Sequence, residues 1–123
     1  MYIAAKDEVQ TPLHSPTGEI LYELIGASPL SGDAVQHSLA HVSVPPGASS
    51  SPHFHKHSEE TYYILAGRAR MILNGQEYFL SPGQAFLIQE LEVHQIFNAG
   101  ETDLEFLAIC APAWKAEDSF SVE

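Results

Sequence analysis

The amino-acid sequence predicts a small all-β fold, either a sandwich or a barrel. Short segments rich in β-branched and aromatic residues recur along its 123 residues, and glycine, proline, asparagine and serine separate them at fairly regular intervals. None of these segments has the length or the periodicity of a long amphipathic helix. A chain of this length buries roughly two-thirds of its unfolded surface, so the sequence indicates a single domain.

The first third of the chain is predicted to contribute two strands. Residues 2–13 have no clear pattern, and the turn signal Ser15–Gly18 follows them. The strand predicted next, at residues 19–25, is apolar on both sides. After a second turn at residues 29–33, residues 38–44 alternate apolar and polar side chains, as a half-buried strand does.

A series of shorter strands is predicted from the turn at Pro45–Gly47 onward. The dipeptide Asn74-Gly75 is the strongest hairpin signal in the sequence. The last strand, residues 104–111, is a nearly continuous apolar run and is therefore expected to be covered on both faces. The predicted strands of this part are residues 53–55, 60–66, 68–73, 76–80, 84–89, 94–98 and 104–111.

Residues 47–67, GASSSPHFHKHSEETYYILAG, carry the strongest chemical signal. His53 and His55 are two positions apart, so on a strand their imidazoles lie on one face, with Cα atoms about 6.6 Å apart. Two such ring nitrogens can bind one ion at bond lengths of roughly 2.0–2.1 Å, and the carboxylate of Glu60 can reach the same ion from the neighbouring strand. This pattern predicts a metal site.

The same spacing resembles the first motif of the cupins, a family of small β-barrels. Gly47, His53, His55, Glu60 and Gly67 stand at the positions of that motif, separated by five, one, four and six residues.

A second cupin motif is matched further along the chain. Pro82-Gly83 is followed by His94 and, four positions later, by Asn98, which resemble the family's final His-x-x-x-Asn. Gln89 stands where the family usually has proline, and Leu91 where it usually has glycine. The chain therefore departs from the family pattern in the loop that leads to His94.

The resemblance implies a double-stranded β-helix, the jelly-roll barrel of single-domain cupins. It covers roughly residues 35–112, which we expect to form the barrel core of one cupin domain spanning residues 1–123. Residues 1–34 are expected to add strands. Residues 113–123 are expected to form an acidic tail, either loose or with one helical turn at residues 116–119. The resemblance also implies one metal ion inside the mouth of the barrel, with the ligands His53, His55, Glu60 and His94.

Two further residues are candidates for a catalytic role in proton transfer. Tyr62 shares a face of its strand with Glu60, although a tyrosine on a strand more often serves packing. Glu59 competes with Glu60 as the carboxylate ligand, and Glu60 is preferred because six residues separate it from Gly67. The remaining histidines are interpreted as surface or hydrogen-bonded groups: His14, His37, His41 and His57.

The implied ligand set predicts one divalent transition metal ion without choosing its identity. Imidazole suits Zn, Fe, Ni and Cu, and a carboxylate also suits Mn and Fe. Four ligands on an octahedral ion leave two open positions, which favours catalysis, whereas the same four would fill a tetrahedral zinc. The summed local charge near +1 would attract an anionic small molecule.

Three classes of function fit such a site. The favoured class is a dioxygenase that acts on a small acidic, enolic or phenolic metabolite. The second is a metal-assisted isomerase, epimerase or cyclase, in which Tyr62 or Glu59 moves a proton. The third is a module that binds or senses a small molecule without turnover. A sugar phosphate is disfavoured, because the chain has only 5 basic residues and none is clearly directed inward.

Composition excludes other partners. A net charge of −11 argues against binding to nucleic acid or to anionic membrane surfaces. No apolar run approaches the ~18 residues of a membrane span, and the first residues lack the pattern of a signal peptide. The single cysteine, Cys110, cannot form an intrachain disulfide. We therefore expect a cytoplasmic protein.

A homodimer is predicted from residues 20–25. This apolar strand exceeds what one barrel wall would bury, and cupins commonly pair through such strands. The competing interpretation is that residues 1–30 fold back over their own barrel and leave a monomer.

Overall fold

The computed structural model describes residues 1–122, which form eleven strands and three short 3-10 helices. The 3-10 helices are Lys6–Glu8, Pro29–Ser31 and Ala116–Asp118. No helix within residues 1–122 combines the length and the apolar character that crossing a membrane requires. The strands are β1 (Leu13–His14), β2 (Ile20–Ile25), β3 (Ser38–Val44), β4 (His53–His55), β5 (Glu59–Ala66), β6 (Ala69–Leu73), β7 (Gln76–Leu80), β8 (Ala85–Ile88), β9 (His94–Asn98), β10 (Leu104–Ala111) and β11 (Ser119–Ser121).

The strands form two antiparallel sheets. The six-stranded sheet has the order β1-β2-β3-β10-β5-β8, and the five-stranded sheet has the order β11-β4-β9-β6-β7. Apart from the β1-β2, β2-β3 and β6-β7 pairs, neighbouring strands are distant in sequence, as in a jelly roll. The predicted all-β jelly-roll fold is confirmed.

The core lies between the two sheets. Val42, Ile64 and Phe106 from the six-stranded sheet pack with Met71 and Ile96 from the five-stranded sheet, and all five are at most 1% exposed. Each occupies an inward position of an alternating strand, so the period of two that predicted the strands also selects the core.

The prediction that β10 is covered on both faces is wrong. Leu104 and Phe106 are fully buried, whereas Ile109, on the opposite face, is 36% exposed. β10 is central because it pairs with β3 on one side and β5 on the other. Its apolar outward residues therefore belong to the outer surface of the six-stranded sheet.

Both faces of β2 are occupied within one chain. All six of its residues are partly buried. Leu21 pairs with the inward Val42 and packs against the core, and the 3-10 helix Lys6–Glu8 contacts β2, with Lys6 Nζ 4.9 Å from the Tyr22 ring centroid. The N-terminal segment thus covers part of the strand that was predicted to be left unpartnered.

The acidic tail is ordered against the barrel. Its one helical turn, Ala116–Asp118, leads into β11, a strand that the sequence pattern did not predict. β11 pairs with β4, and the rings of Phe54 and Phe120 stack at 5.3 Å. The tail thereby supports the short strand that carries His53 and His55.

Two left-handed residues explain parts of the sequence pattern. Gly67 has φ +84, and a Cβ there would lie 2.6 Å from the carbonyl oxygen of Asp103, so only glycine fits. Leu91, at the position where cupins usually have glycine, also adopts a left-handed φ of 68. Its N–H donates to the His55 carbonyl oxygen at 2.7 Å, and this hydrogen bond fixes the loop before His94. The left-handed conformation strains the backbone of a leucine, which a glycine would avoid.

Candidate metal centre

Both sheets contribute to one cluster of metal-binding side chains. His53 and His55 lie on β4, and His94 lies directly opposite His53 on β9 of the same sheet. Glu60 comes from β5 of the six-stranded sheet. The structure therefore brings together the four residues implied by the sequence spacing: pairing of β4 with β9 joins the histidines, and packing of the two sheets adds Glu60.

The donor atoms of His53, His55, Glu60 and His94 all lie within 4.8 Å of one another. Glu60 Oε1 lies 3.5 Å from His55 Nε2 and 3.2 Å from His94 Nε2. Donor atoms that share one ion at bond lengths of roughly 2.0–2.2 Å are separated by at most about 4.4 Å. Small side-chain adjustments would therefore let the four atoms bind a single ion.

The hydrogen bonds of the cluster leave the metal-binding atoms free. His53 Nδ1 is 2.7 Å from the Ser51 carbonyl oxygen, and His94 Nδ1 is 3.0 Å from the Glu92 carbonyl oxygen. Each Nδ1–H can donate to its carbonyl, which leaves the Nε2 lone pair available.

Four buried atoms in this region lack any hydrogen-bond partner among the described residues: His55 Nδ1, His55 Nε2, Glu60 Oε1 and His94 Nε2. Such orphaned atoms are costly, and an ion between them would satisfy three of the four. The residues therefore fit a divalent metal ion.

Electrostatics hold two of the four candidate ligands, Glu60 and His53, in their binding forms, whereas for His55 burial is outweighed by the contact with Glu60, which favours the protonated form and raises the pKa. Burial alone raises the pKa of Glu60, but the adjacent imidazoles of His55 and His94 outweigh burial and hold the pKa well below its usual range. Burial, with a smaller contribution from His94, lowers the pKa of His53 to about 4. At neutral pH the cluster therefore contains an ionised carboxylate and a neutral His53, as metal binding requires.

Cys110 orients the carboxylate ligand. It pairs with Glu60 across β10 and β5, and its Sγ donates to Glu60 Oε2 at 3.1 Å. This contact directs the other oxygen, Oε1, toward His55 and His94. The sequence alone assigned Cys110 no role at the site, because its strand pairing with Glu60 could not be predicted from local pattern.

A cavity of about 60 Å³ adjoins the cluster. Its polar wall includes His53, His55, Glu60 and Tyr62, and its apolar wall includes Leu21, Ala40, Val42 and Ala108. It reaches the surface near Leu13, which is 47% exposed. The cavity offers room for only a few non-hydrogen atoms beside the donors.

The two candidate proton-transfer residues have different surroundings. Tyr62 is 3% exposed and lines the cavity, and burial, with a smaller contribution from Glu60, raises its pKa well above the usual range. Glu59 is exposed and does not line the cavity, because side chains alternate along β5 and Glu60 takes the inward position. The structure therefore gives Glu59 no contact with the candidate site.

Sequence reasoning missed one carboxyl group in this cavity. Glu19, immediately before β2, is only 6% exposed and lines the cavity. Alternation along the sequence could have indicated its position, because Glu19, Leu21 and Glu23 share one face of the strand.

The remaining histidines lie outside the cluster, and His41 pairs instead with Glu105 at 3.0 Å.

Comparison with known proteins identifies the class. The cupin domain family matches residues 40–110, more than half of the chain. The chain belongs to the cupin family.

Individual relatives agree with this assignment. An uncharacterized protein of Methanocaldococcus jannaschii is 34% identical over 112 residues, which span 91% of this chain and 88% of that protein. An oxalate-binding protein of Thermotoga maritima is 40% identical over 70 residues, which span 57% of this chain and 58% of that protein. The crystal structure of a predicted oxalate decarboxylase from Thermotoga maritima superposes with a TM-score of 0.76 at 28% identity, covering 90% of this chain and 99% of that one.

Proposed function

We propose that this cupin is a metal-dependent enzyme that acts on a small oxygen-bearing acid or enol. The observation that carries the proposal is the set of four donor atoms within 4.8 Å of one another, buried and largely without partners, beside a small cavity. His53, His55, Glu60 and His94 would hold one divalent ion. The ion would supply Lewis acidity and, if it is iron or manganese, redox chemistry toward O₂.

The cavity favours a small anion. Three neutral imidazoles, one carboxylate and a divalent ion sum to a local charge near +1, which attracts a carboxylate or enolate oxygen. The oxalate-binding relative binds a ligand of this chemistry by name. Lysine and arginine are missing from the residues that line the cavity within the described chain, which counts against a sugar phosphate.

The favoured reaction class is oxidative, of the dioxygenase type. Tyr62 keeps its proton in this environment and can donate a hydrogen bond to a substrate oxygen inside the cavity. The apolar residues Leu21, Val42 and Ala108 also line the cavity and limit its hydration. Both features suit an anionic intermediate that must be protected from solvent.

Elemental analysis of protein purified without chelators, followed by O₂ uptake with a panel of small acids, enols and phenols, tests the proposal. We expect one metal ion per chain, lost in His53→Ala and His94→Ala while both stay folded. His57→Ala is the matched control, because His57 is exposed and outside the cluster. Full metal occupancy in both cluster variants would refute the ligand set, and metal without O₂ uptake would refute the dioxygenase assignment.

We also propose a homodimer, formed through a surface other than β2. Tyr63, Leu65, Leu87 and Ile109 are 36–53% exposed and share the outer face of β8, β5 and β10. Strand register brings them together, because Thr61 pairs with both Leu87 and Ile109. A second copy related by a two-fold axis would cover the same patch on both chains.

Light scattering at micromolar concentration tests the dimer. We expect a mass near twice 13.5 kDa, falling to the monomer value in Leu87→Asp. Phe79→Asp is the control, because Phe79 is 67% exposed on β7 of the other sheet. A monomeric wild-type protein would refute the dimer, and a dimer that survives Leu87→Asp would refute this interface.

We propose the cytoplasm as the compartment. The single cysteine is buried and free, and its thiol donates to Glu60. A reducing environment preserves this thiol. Cell fractionation with a tagged chain tests the assignment.

A further inference from the structure

Glu19 is a buried carboxyl group that the metal cluster does not use. The turn at residues 15–18 fixes its backbone on both sides: the Glu19 N–H donates to Ser15 Oγ at 3.1 Å, and the Ser15 N–H donates to the Glu19 carbonyl oxygen at 2.8 Å. The side chain shares the inward face of β2 with Leu21 and lines the cavity beside the cluster.

Glu19 is only 6% exposed, and its carboxyl has no hydrogen-bond or ion-pair partner among residues 1–122. Its oxygens are not among the fully enclosed unpartnered atoms, so they keep accessible surface toward the cavity. A buried carboxyl without a partner costs free energy. Burial and, to a smaller extent, Glu60 raise the pKa of Glu19 to about 8. At neutral pH the metal-free protein therefore keeps this group protonated, and a bound anion beside it favours the same protonated form.

Glu19 is not one of the clustered donor residues. β2 and β5 are separated by β3 and β10, so at about 4.8 Å per strand their backbones lie roughly 14 Å apart. Glu19 also lies outside the group of donor atoms within 4.8 Å of one another. Its carboxyl and the metal cluster thus border different parts of one cavity.

The cavity needs a second contact for a bound acid. Its described lining contains no lysine or arginine, and the Cys110 thiol is already committed to Glu60. A protonated carboxyl forms its strongest hydrogen bond with an anionic acceptor, because hydrogen bonds to charged groups are stronger than those between neutral groups.

We propose that Glu19 is the specificity-determining residue for small dicarboxylates, donating a hydrogen bond to the carboxylate at the end of the ligand remote from the metal. This inference rests on the proposed function, since the metal would bind the other end. The cavity of about 60 Å³ limits the ligand to a few carbon atoms. Glu19 would then distinguish a dicarboxylate from a monocarboxylate.

Calorimetric titration of the metal-containing protein tests the proposal. The probes are oxalate, malonate and succinate, with acetate as the ligand that lacks a second carboxylate. We expect at least one dicarboxylate to bind more tightly than acetate, and Glu19→Ala to weaken that binding tenfold or more, as the loss of a charge-assisted hydrogen bond implies. Acetate affinity should stay unchanged. Glu19→Gln, which keeps a donor, should retain most of the preference.

Glu59→Ala is the matched control, because it removes a side chain of the same size and type from an exposed position outside the cavity. Wild-type dicarboxylate preference that survives in Glu19→Ala would refute the role of Glu19 and leave the proposed function standing. Failure of the metal-containing wild type to bind any of the four acids would refute both. Loss of metal from both Glu19 variants would assign Glu19 to the metal centre and overturn the proposal.

Discussion

Replacing Glu19 with glutamine should stabilise the metal-free protein, increasingly so as pH rises. The pKa of Glu19 is about 8 in the folded protein, against an ordinary value of 4.5. The folded protein therefore retains a proton that the unfolded chain releases, and the stability associated with this proton is present below pH 4.5 and is lost as pH rises through 8. Glutamine is neutral at every pH, so the Glu19→Gln protein does not lose this stability as pH rises.

The size of the effect follows from the same two values. Proton linkage predicts that ionisation of Glu19 lowers the free energy of unfolding of the wild type by about 3 kcal/mol at pH 7 and by roughly 4 to 5 kcal/mol at pH 9. At pH 5 the predicted loss is less than about 1 kcal/mol. The other titratable groups that line this cavity are present in both proteins, so their contributions largely cancel in the difference: Glu23, His53, His55, Glu60, Tyr62 and Cys110.

Urea denaturation at pH 5, 7 and 9, in the presence of a chelator, measures the difference. Glu59→Gln is the control for the removal of one negative charge, since Glu59 is exposed, and we expect it to change stability by less than about 0.5 kcal/mol. A Glu19→Gln protein no more stable than wild type at pH 7 and 9 would refute the assignment of Glu19 as a buried carboxyl that is costly to ionise.

Other variants test the remaining features. Leu91→Gly should stabilise the protein by about 1 kcal/mol, because a left-handed φ strains leucine, and destabilisation in thermal melts would contradict this. Gly67→Ala should cost about 2 kcal/mol or more, against about 1 for Gly47→Ala, whose Cβ would meet nothing within 4 Å; equal costs would argue against the contact with Asp103. Cys110→Ala should weaken metal binding about tenfold and Cys110→Ser much less, so equal affinities of these two variants would remove the role of the thiol. Chelation should leave the β circular dichroism signal intact, because 45% of the residues are hydrophobic and the core is independent of the cluster; its loss would make the ion structural.

Local pattern predicted most of the strands, and motif spacing implied the metal ligands. Local pattern placed β3, β4, β7, β9 and β10 at the observed bounds. For β3 the signal was alternation, because a strand with one buried face records that face in its sequence. His53 and His55 could be paired from spacing alone, since they lie on one short strand. The glycine position taken by Leu91 was visible as a departure from the family, and its backbone conformation explains the family preference.

Features that depend on long-range pairing could not be predicted. Glu19 and Cys110 reach the site through the sheet order β2-β3-β10-β5, which no local pattern records. The same limit explains the error over β10, whose apolar outward residues look identical in sequence to buried ones. β11 was missed because three residues that pair only with β4 carry too short a pattern.

The division of the ligands between the two sheets fixes when a metal can bind. His53 and His55 lie on one sheet with His94, and Glu60 lies on the other. The full donor set therefore exists only after distant segments have paired and the sheets have packed together, late in folding. Unlike a zinc finger, in which the ion drives folding, this barrel would bind a metal ion only after it has folded. The identity of a bound ion would then depend on which metals are available to the folded protein.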